Sequence, residues 1–266
     1  MTTVAKAIAK AVVPAAGLGQ RLRPITDVLP KEMFPIGRYP AIEWVIAEAV
    51  ASGCTDIAVV ISPRKRIIEA YLTTCCPDLA NLCHLTFLFQ PEPLGLGHAL
   101  LLAREFCDGH PFAVLLPDDL VSGPQLPLRQ MASVFQATGG IVFAIAQELA
   151  ENATRYGRLQ LQQVSERIYR VEAISARTTP VRTKSLLVGV GRGLWSPECL
   201  DYAAVLLDQP RVGEFDDGVI LQYMLEINEL VHGVHITGRR YDISTSDGYI
   251  AAWQRFGKER PTWKCL

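Results

Sequence analysis

The sequence predicts an α/β protein: a three-layer, doubly wound sheet, mixed but mostly parallel, with a smaller β-rich part in its second half. Three observations carry this. Short apolar runs alternate with helical patterns through the first half, as parallel βαβ units covered on both faces require. Beyond about residue 150 the pattern turns to strands separated by polar turns. The chain has 266 residues, 49% apolar and 20% charged, which is enough for a full core in one domain.

In order, Ile8–Ala15 reads as a buried strand, and Pro40–Ser52 as an amphipathic helix stopped by Gly53. Asp56–Ile61 is a second strand, Arg64–Leu72 a helix, His84–Gln90 a strand and Leu96–Phe106 a helix. Pro111–Leu116 is a fully apolar strand, Gln125–Thr138 a helix, and Ile141–Ala146 a strand. Then Arg158–Val164, Ile168–Ala173 and Leu186–Leu194 read as strands, followed by helices at Pro197–Leu207 and Val219–Leu230. Val234–Thr237 and Arg239–Ile243 are short strands, and Ser246–Phe256 is a closing helix. No internal repeat or low-complexity linker divides the chain, so a single domain over 1–266 is expected.

A net charge of −1 offers no basic excess for nucleic acid or an anionic membrane surface. No apolar run approaches the ~18–20 residues that span a bilayer, and Met1–Lys10 lacks the apolar segment of a signal peptide. A cytoplasmic protein is expected. The seven cysteines show no C-x-x-C pair and read as reduced thiols.

Five segments could carry chemistry. In Pro14-Ala-Ala16-Gly17-Leu18-Gly19-Gln-Arg21-Leu-Arg23-Pro24, small residues after a strand let backbone N–H groups approach phosphate oxygens, and Arg21 adds a planar fork. An ordinary βα turn is the alternative. A dinucleotide loop would need glycine at Leu22 and an acid near Ile61 or Ser62. Lys31, between Pro30 and Pro35, is either a fixed point charge or a solvated surface lysine. Gln90-Pro-Glu-Pro-Leu-Gly95-Leu-Gly97-His98 leaves a strand with a side chain able to donate and accept, as reading a pyrimidine edge needs. Gly95 would admit a base ring, and His98 reads as structural. Asp118 and Asp119 end a buried strand where ligands bind in open α/β sheets; Asp118 suits Mg²⁺, and Asp119 reads as a cap or turn residue. Asp242 is a loop aspartate alone, and a partner to Asp118 in a two-carboxylate site.

Together these segments, with Tyr156-Gly157, Val188–Arg192, Gly213-Glu214 and Tyr241–Tyr249, resemble the bacterial UTP–glucose-1-phosphate uridylyltransferases among the sugar-nucleotide pyrophosphorylases. The Lys-Glu-Met triple at 31–33 and Gly-Leu-Gly-His-Ala at 95–99 look like the uridylyl branch. The resemblance implies a nucleotidyltransferase fold with a nucleotide half near 8–150 and a sugar half near 151–266. It implies that Ala16, Gly17, Leu18, Gly19 and Arg21 hold the triphosphate, that Lys31 acts with Arg21 beside the reacting phosphates, and that Gln90 and Gly95 read the uracil. Asp118 and Asp242 would hold Mg²⁺; Gly157, Glu172, Gly191 and Glu214 would shape the sugar pocket. The implied partners are UTP and a sugar 1-phosphate, in a homo-oligomer.

The departures fall on the sugar side. Glu172-Ala173-Ile174 stands where the family reads Glu-Lys-Pro, and Gly213-Glu-Phe-Asp-Asp-Gly-Val219 loses a threonine and an aspartate. Asp242-Ile-Ser244 replaces Asp-x-Gly, and the segment between Tyr71 and Phe87 is short. Arg177, Arg182 and Lys184 are candidate substitutes for the missing lysine. A different sugar phosphate or nucleotide, or a regulatory nucleotide-binding homologue, are the alternative readings; a nicotinamide enzyme is a more distant one.

Overall fold

The structure, a computed structural model, describes residues 8–149, 156–175, 184–211 and 213–261. β1 (Lys10–Pro14) alternates its side chains between two cores: Ala11 and Val13 face one side of the sheet, Val12 the other. After the glycine-rich loop comes a small hairpin, β2 (Pro35–Ile36) with β3 (Tyr39–Pro40), then α1 (Ala41–Ala51). That helix ends at Gly53, whose φ of 103° only glycine adopts readily. β4 (Asp56–Ile61), α2 (Arg66–Thr74) and β5 (His84–Phe89) follow; α3 (Leu96–Leu102) and α4 (Arg104–Cys107) are one sequence pattern broken at Ala103. β6 (Phe112–Leu115) flanks β1 on the side away from β4, and all four of these strands are parallel.

β7 (Asp119–Ser122) leaves the sheet, α5 (Pro127–Thr138) returns the chain, and β8 (Ile141–Leu149) runs beyond its predicted end. The second half contributes β9 (Arg158–Gln163), β10 (Ile168–Ser175), β11 (Ser185–Trp195), α6 (Glu198–Leu207) and α7 (Asp217–Glu226). β12 (Val231–His235), β13 (Arg239–Asp242) and α8 (Ser246–Phe256) complete it. One nine-stranded sheet runs through both halves in the order β5-β4-β1-β6-β11-β8-β12-β10-β9. β11 is antiparallel to β6 and β8, and β10 is antiparallel to β12 and β9; the other strands share one direction. On one face pack α1, α2, α5 and α8, through residues such as Ile46, Leu72, Met131 and Phe256. On the other pack α3, α6 and α7, through Leu100, Leu200 and Ile220. The mixed, mostly parallel three-layer architecture is as expected.

Three local predictions need correction. The helix expected over Val219–Leu230 ends at Glu226, because Asn228 takes a left-handed φ of 62°. The next strand therefore starts at Val231, not Val234, and pairs in parallel with β8, Val231 opposite Ile141. β10 carries a register shift between Val171 and Ala173, so its side-chain alternation changes at Glu172.

Candidate active site

Two short strands bring the acids together. β7 and β13 pair antiparallel with Asp119 opposite Asp242, and Ile243 N–H donates to the Asp118 carbonyl at 2.9 Å. Asp118 and Asp242, 124 positions apart in the chain, thus adjoin at the carboxyl edge of β6. Beside them opens a cavity of about 760 Å³, lined by Arg21, Asp118, Tyr156, Gly191, Arg240 and Asp242 among others. Lys31 Nζ lies 2.5 Å from Asp118 Oδ2, so it is a fixed charge rather than a solvated one. Burial alone would push the Lys31 ammonium down, but Asp118, Glu32 and Asp242 together outweigh it and hold the pKa above the usual value. Burial likewise opposes ionisation of Asp118, yet Lys31, a backbone hydrogen bond and Arg240 together keep its carboxyl below the ordinary range. Asp242 accepts from Tyr156 Oη at 2.8 Å and from Ser244 N at 3.0 Å, while Arg21 Nη1 donates to Ser244 Oγ at 3.1 Å.

Asp119 is not the cap or turn residue that its position suggested. It is 4% exposed, its Oδ2 accepts from Gly191 N–H at 2.8 Å and its Oδ1 from Arg240 Nε at 2.6 Å. Burial pushes its carboxyl up, and Arg240 only partly offsets this. Gly191 is needed there because a Cβ would stand 2.5 Å from Leu116 Cβ.

Two buried ion pairs that the sequence did not reveal support this edge. Lys65 Nζ donates to the Ala15 carbonyl at 2.9 Å, to Gly17 at 2.5 Å and to both oxygens of Glu32 at 3.0 and 2.8 Å. It fixes the glycine-rich loop to the residue that follows Lys31. Arg192 grips Glu48 of α1 with Nε and Nη2, each at 2.8 Å, and gives Nη1 to the carbonyls of Leu116 at 3.0 Å and Gly191 at 2.8 Å. That anchors the turn carrying Asp118.

On the expected nucleotide side, Gly19 has φ 67° and accepts a 2.8 Å hydrogen bond from Thr26 Oγ1, while a Cβ on Gly17 would meet open space. Ala16 is buried and Leu18 exposed. Gln90 sits at the end of β5, its N–H donating to the Ile61 carbonyl at 2.9 Å. Its side-chain Nε2 reaches the Gly95 carbonyl at 3.0 Å and His98 Nδ1 at 2.9 Å. Gly95 has φ 109°, and a Cβ there would stand 2.4 Å from the Phe215 carbonyl oxygen, so the Phe215 backbone takes the space a side chain would need.

On the expected sugar side, Gly157 and Gly191 line the cavity, and Glu172 and Glu214 do not. Both glutamates are exposed, and Glu172 accepts from Gln160 Nε2 at 3.0 Å. The register shift in β10 brings Ile174, rather than Ala173, into the cavity. Near Glu214, it is Asp216 and Asp217 that line the cavity. Of the substitute cations, Arg177 and Arg182 lie outside the described residues, and Lys184 is an exposed residue just before β11.

A glycine-rich loop after the first strand, a cation held against an acid and two adjoining aspartates, all at the carboxyl edge of one doubly wound sheet, suit an enzyme that handles nucleoside phosphates. The chain belongs to the Nucleotidyl transferase family, whose profile matches residues 10–259, and it is a nucleotidyltransferase. It is 32% identical over 275 residues to a UTP–glucose-1-phosphate uridylyltransferase of Bacillus subtilis (strain 168), covering 96% of this chain and 92% of that protein. It is 33% identical over 268 residues to the enzyme of that name from Mycoplasma pneumoniae, covering 92% and 91%. Among solved structures it is similar to a UDP-glucose pyrophosphorylase complexed with UDP-glucose: TM-score 0.84, 28% identity, 95% of this chain and 100% of that one. It is also similar to a UTP-bound UGPase from Acinetobacter baumannii: TM-score 0.80, 28% identity, 97% and 98% coverage. None of the described helices is long and apolar enough to cross a membrane.

Proposed function

We propose that the chain transfers the uridylyl group of UTP to glucose 1-phosphate, giving UDP-glucose and pyrophosphate. The observation that carries this is the adjacency of Asp118 and Asp242, with Lys31 held against Asp118, in a chain similar over nearly its whole length to uridylyltransferases. A phosphate oxygen of glucose 1-phosphate forms a bond to the α-phosphorus of UTP, and the α–β bridging bond breaks to release pyrophosphate. The nucleophile is already an anion, so no general base is needed. Binding, alignment and charge neutralisation lower the barrier.

In this reading Ala16, Gly17, Leu18, Gly19 and Arg21 hold the triphosphate, and Lys31 faces the reacting phosphates. Gln90, with the backbone at Gly95, reads the base; Gly157 and Gly191 border the sugar. The carboxylates of Asp118 and Asp242 fit Mg²⁺: they are hard oxygen donors, Asp118 is held ionised by Lys31, and two carboxylates plus phosphate oxygens are what this ion takes. When bound, Mg²⁺ supplies neutralisation of phosphate charge. The nucleotide half near 8–150 and the sugar half near 151–266 work as one domain on one sheet. The same reading places the enzyme in the cytoplasm as a homo-oligomer; the free state of Cys54, Cys76, Cys83, Cys107 and Cys199 supports a reducing compartment, and light scattering tests the oligomer.

Ala173 and the outward Glu172 favour one second reading, a different sugar phosphate as acceptor. Pyrophosphate release, measured for several nucleoside triphosphates against several sugar phosphates, tests both. Turnover confined to UTP with glucose 1-phosphate is expected; turnover with another sugar phosphate instead supports the second reading.

A further inference from the structure

Arg240 brings to the cavity a cation that the reaction scheme above leaves unused. It lies on β13 two residues before Asp242, and its side chain is only 10% exposed. Nε is spent on Asp119 at 2.6 Å, and the guanidinium covers the Tyr156 ring at 4.2 Å from the centroid. Nη1 is buried and makes no hydrogen bond. The acids nearest the two terminal nitrogens stand off: Glu148 is 3.9 Å from Nη1, and Asp242 is 3.9 Å from Nη2. Nη1 has no accessible face, so Nη2, which makes no hydrogen bond and is not buried, is the terminal nitrogen that an acceptor in the cavity can reach.

The other cations of the cavity are committed. Arg192 is buried, with every terminal nitrogen bonded to Glu48 or to the Leu116 and Gly191 carbonyls. Arg21 comes from the loop after β1 and reaches Ser244, and Lys31, which does not line the cavity, is paired with Asp118. The opposite wall, from β10, brings Ile174 and Ser175 and no charge. Arg240 is stacked on Tyr156, next to Gly157 at the sugar end, and its planar fork matches phosphate oxygens.

We infer that Arg240 binds the phosphate of the acceptor sugar phosphate, with Nη2 donating to it and Asp119 and Tyr156 fixing the plane of the guanidinium. This rests on the uridylyl-transfer reading, and it assigns the acceptor's anion to a residue to which the sequence alone assigns no role. Arg240 touches substrate in this assignment, whereas Asp119 is a positioning residue.

The test uses the full chain with UTP and glucose 1-phosphate, measuring KM for each substrate, kcat and the melting temperature in Arg240→Gln, Arg240→Lys and Asp119→Asn. Loss of one charge-assisted hydrogen bond should raise the glucose 1-phosphate KM of Arg240→Gln roughly 10- to 100-fold while the UTP KM stays within about threefold. Arg240→Lys, which keeps the charge and loses the fork, should recover part of that, and Asp119→Asn should lower the melting temperature more than it raises the acceptor KM. An unchanged acceptor KM in Arg240→Gln overturns the assignment. So does an equal loss for both substrates that Asp119→Asn reproduces, since Arg240 would then act only through the fold. A wild-type chain that releases no pyrophosphate from UTP and glucose 1-phosphate overturns the uridylyl-transfer reading itself.

Discussion

Replacing Lys65 with methionine keeps much of the side-chain volume and removes one ammonium, so it isolates what that charge holds. Lys65 Nζ has two carbonyl acceptors in the glycine-rich loop and both oxygens of Glu32, which is 0% exposed. Taking one partner from a buried ion pair costs about 3–5 kcal/mol, because the remaining charge has no water and no counter-charge. For a protein of this size that lowers the melting temperature by roughly 6–20 °C. The loss must depend on pH in a stated direction. Burial pushes the Glu32 carboxyl up, and Lys65 is the main influence pulling it down. Without Lys65 the folded pKa rises further above its unfolded value. Stability from such a group is fully present below the unfolded pKa and is lost as pH rises through the folded one. The deficit should therefore be smaller near about pH 5 than near about pH 8. Adding Glu32→Gln should restore most of the stability at the higher pH, since an amide can stay buried without a cation. Calorimetry of the wild type, the single variant and the double variant at both pH values gives the answer. A single variant melting within about 2 °C of wild type at the higher pH, or a double variant no better than the single, would refute this assignment of the pair.

Other outcomes follow from the same geometry. Lys31→Met should lose about 10²–10³ in kcat/KM for pyrophosphate release, read by a coupled phosphate assay, because it removes a preorganised charge from the reacting phosphates. Asp242→Asn should raise the Mg²⁺ concentration for half-maximal rate by at least roughly 10-fold, read by metal titration at fixed UTP. Gly95→Ala should destabilise by about 1–3 kcal/mol, read by urea unfolding, since its Cβ would stand 2.4 Å from the Phe215 carbonyl oxygen at a φ of 109°.

The parts of the fold set by local pattern were legible in the sequence. Asp56–Ile61 and Ser246–Phe256 appear in the structure at their predicted limits, because a continuous apolar run and a capped amphipathic stretch are signals contained within the segment. The strand of Asp119–Ser122 was hidden: its partner, Arg239–Asp242, is more than a hundred residues away. The site divides in the same way. Gly19, Asp118 and Asp242 follow strands and could be singled out by position. Lys65 with Glu32 and Arg192 with Glu48 could not, because each pair is made by packing between elements 33 and 144 residues apart. Glu172 failed for a third reason. Alternation from the buried Val171 already sends Glu172 away from the core, against the family motif, and the register shift beyond it brings Ile174 rather than Ala173 to the cavity.

The most direct measurement follows the phosphorus atoms of UTP. Purified chain is incubated with glucose 1-phosphate, Mg²⁺ and UTP labelled separately at the α or the γ position, and the products are resolved by chromatography. Uridylyl transfer predicts α label in UDP-glucose and γ label in pyrophosphate, formed in equal amounts and only when glucose 1-phosphate is present. Label released as inorganic phosphate, or no UDP-glucose from UTP that the chain demonstrably binds, would contradict it.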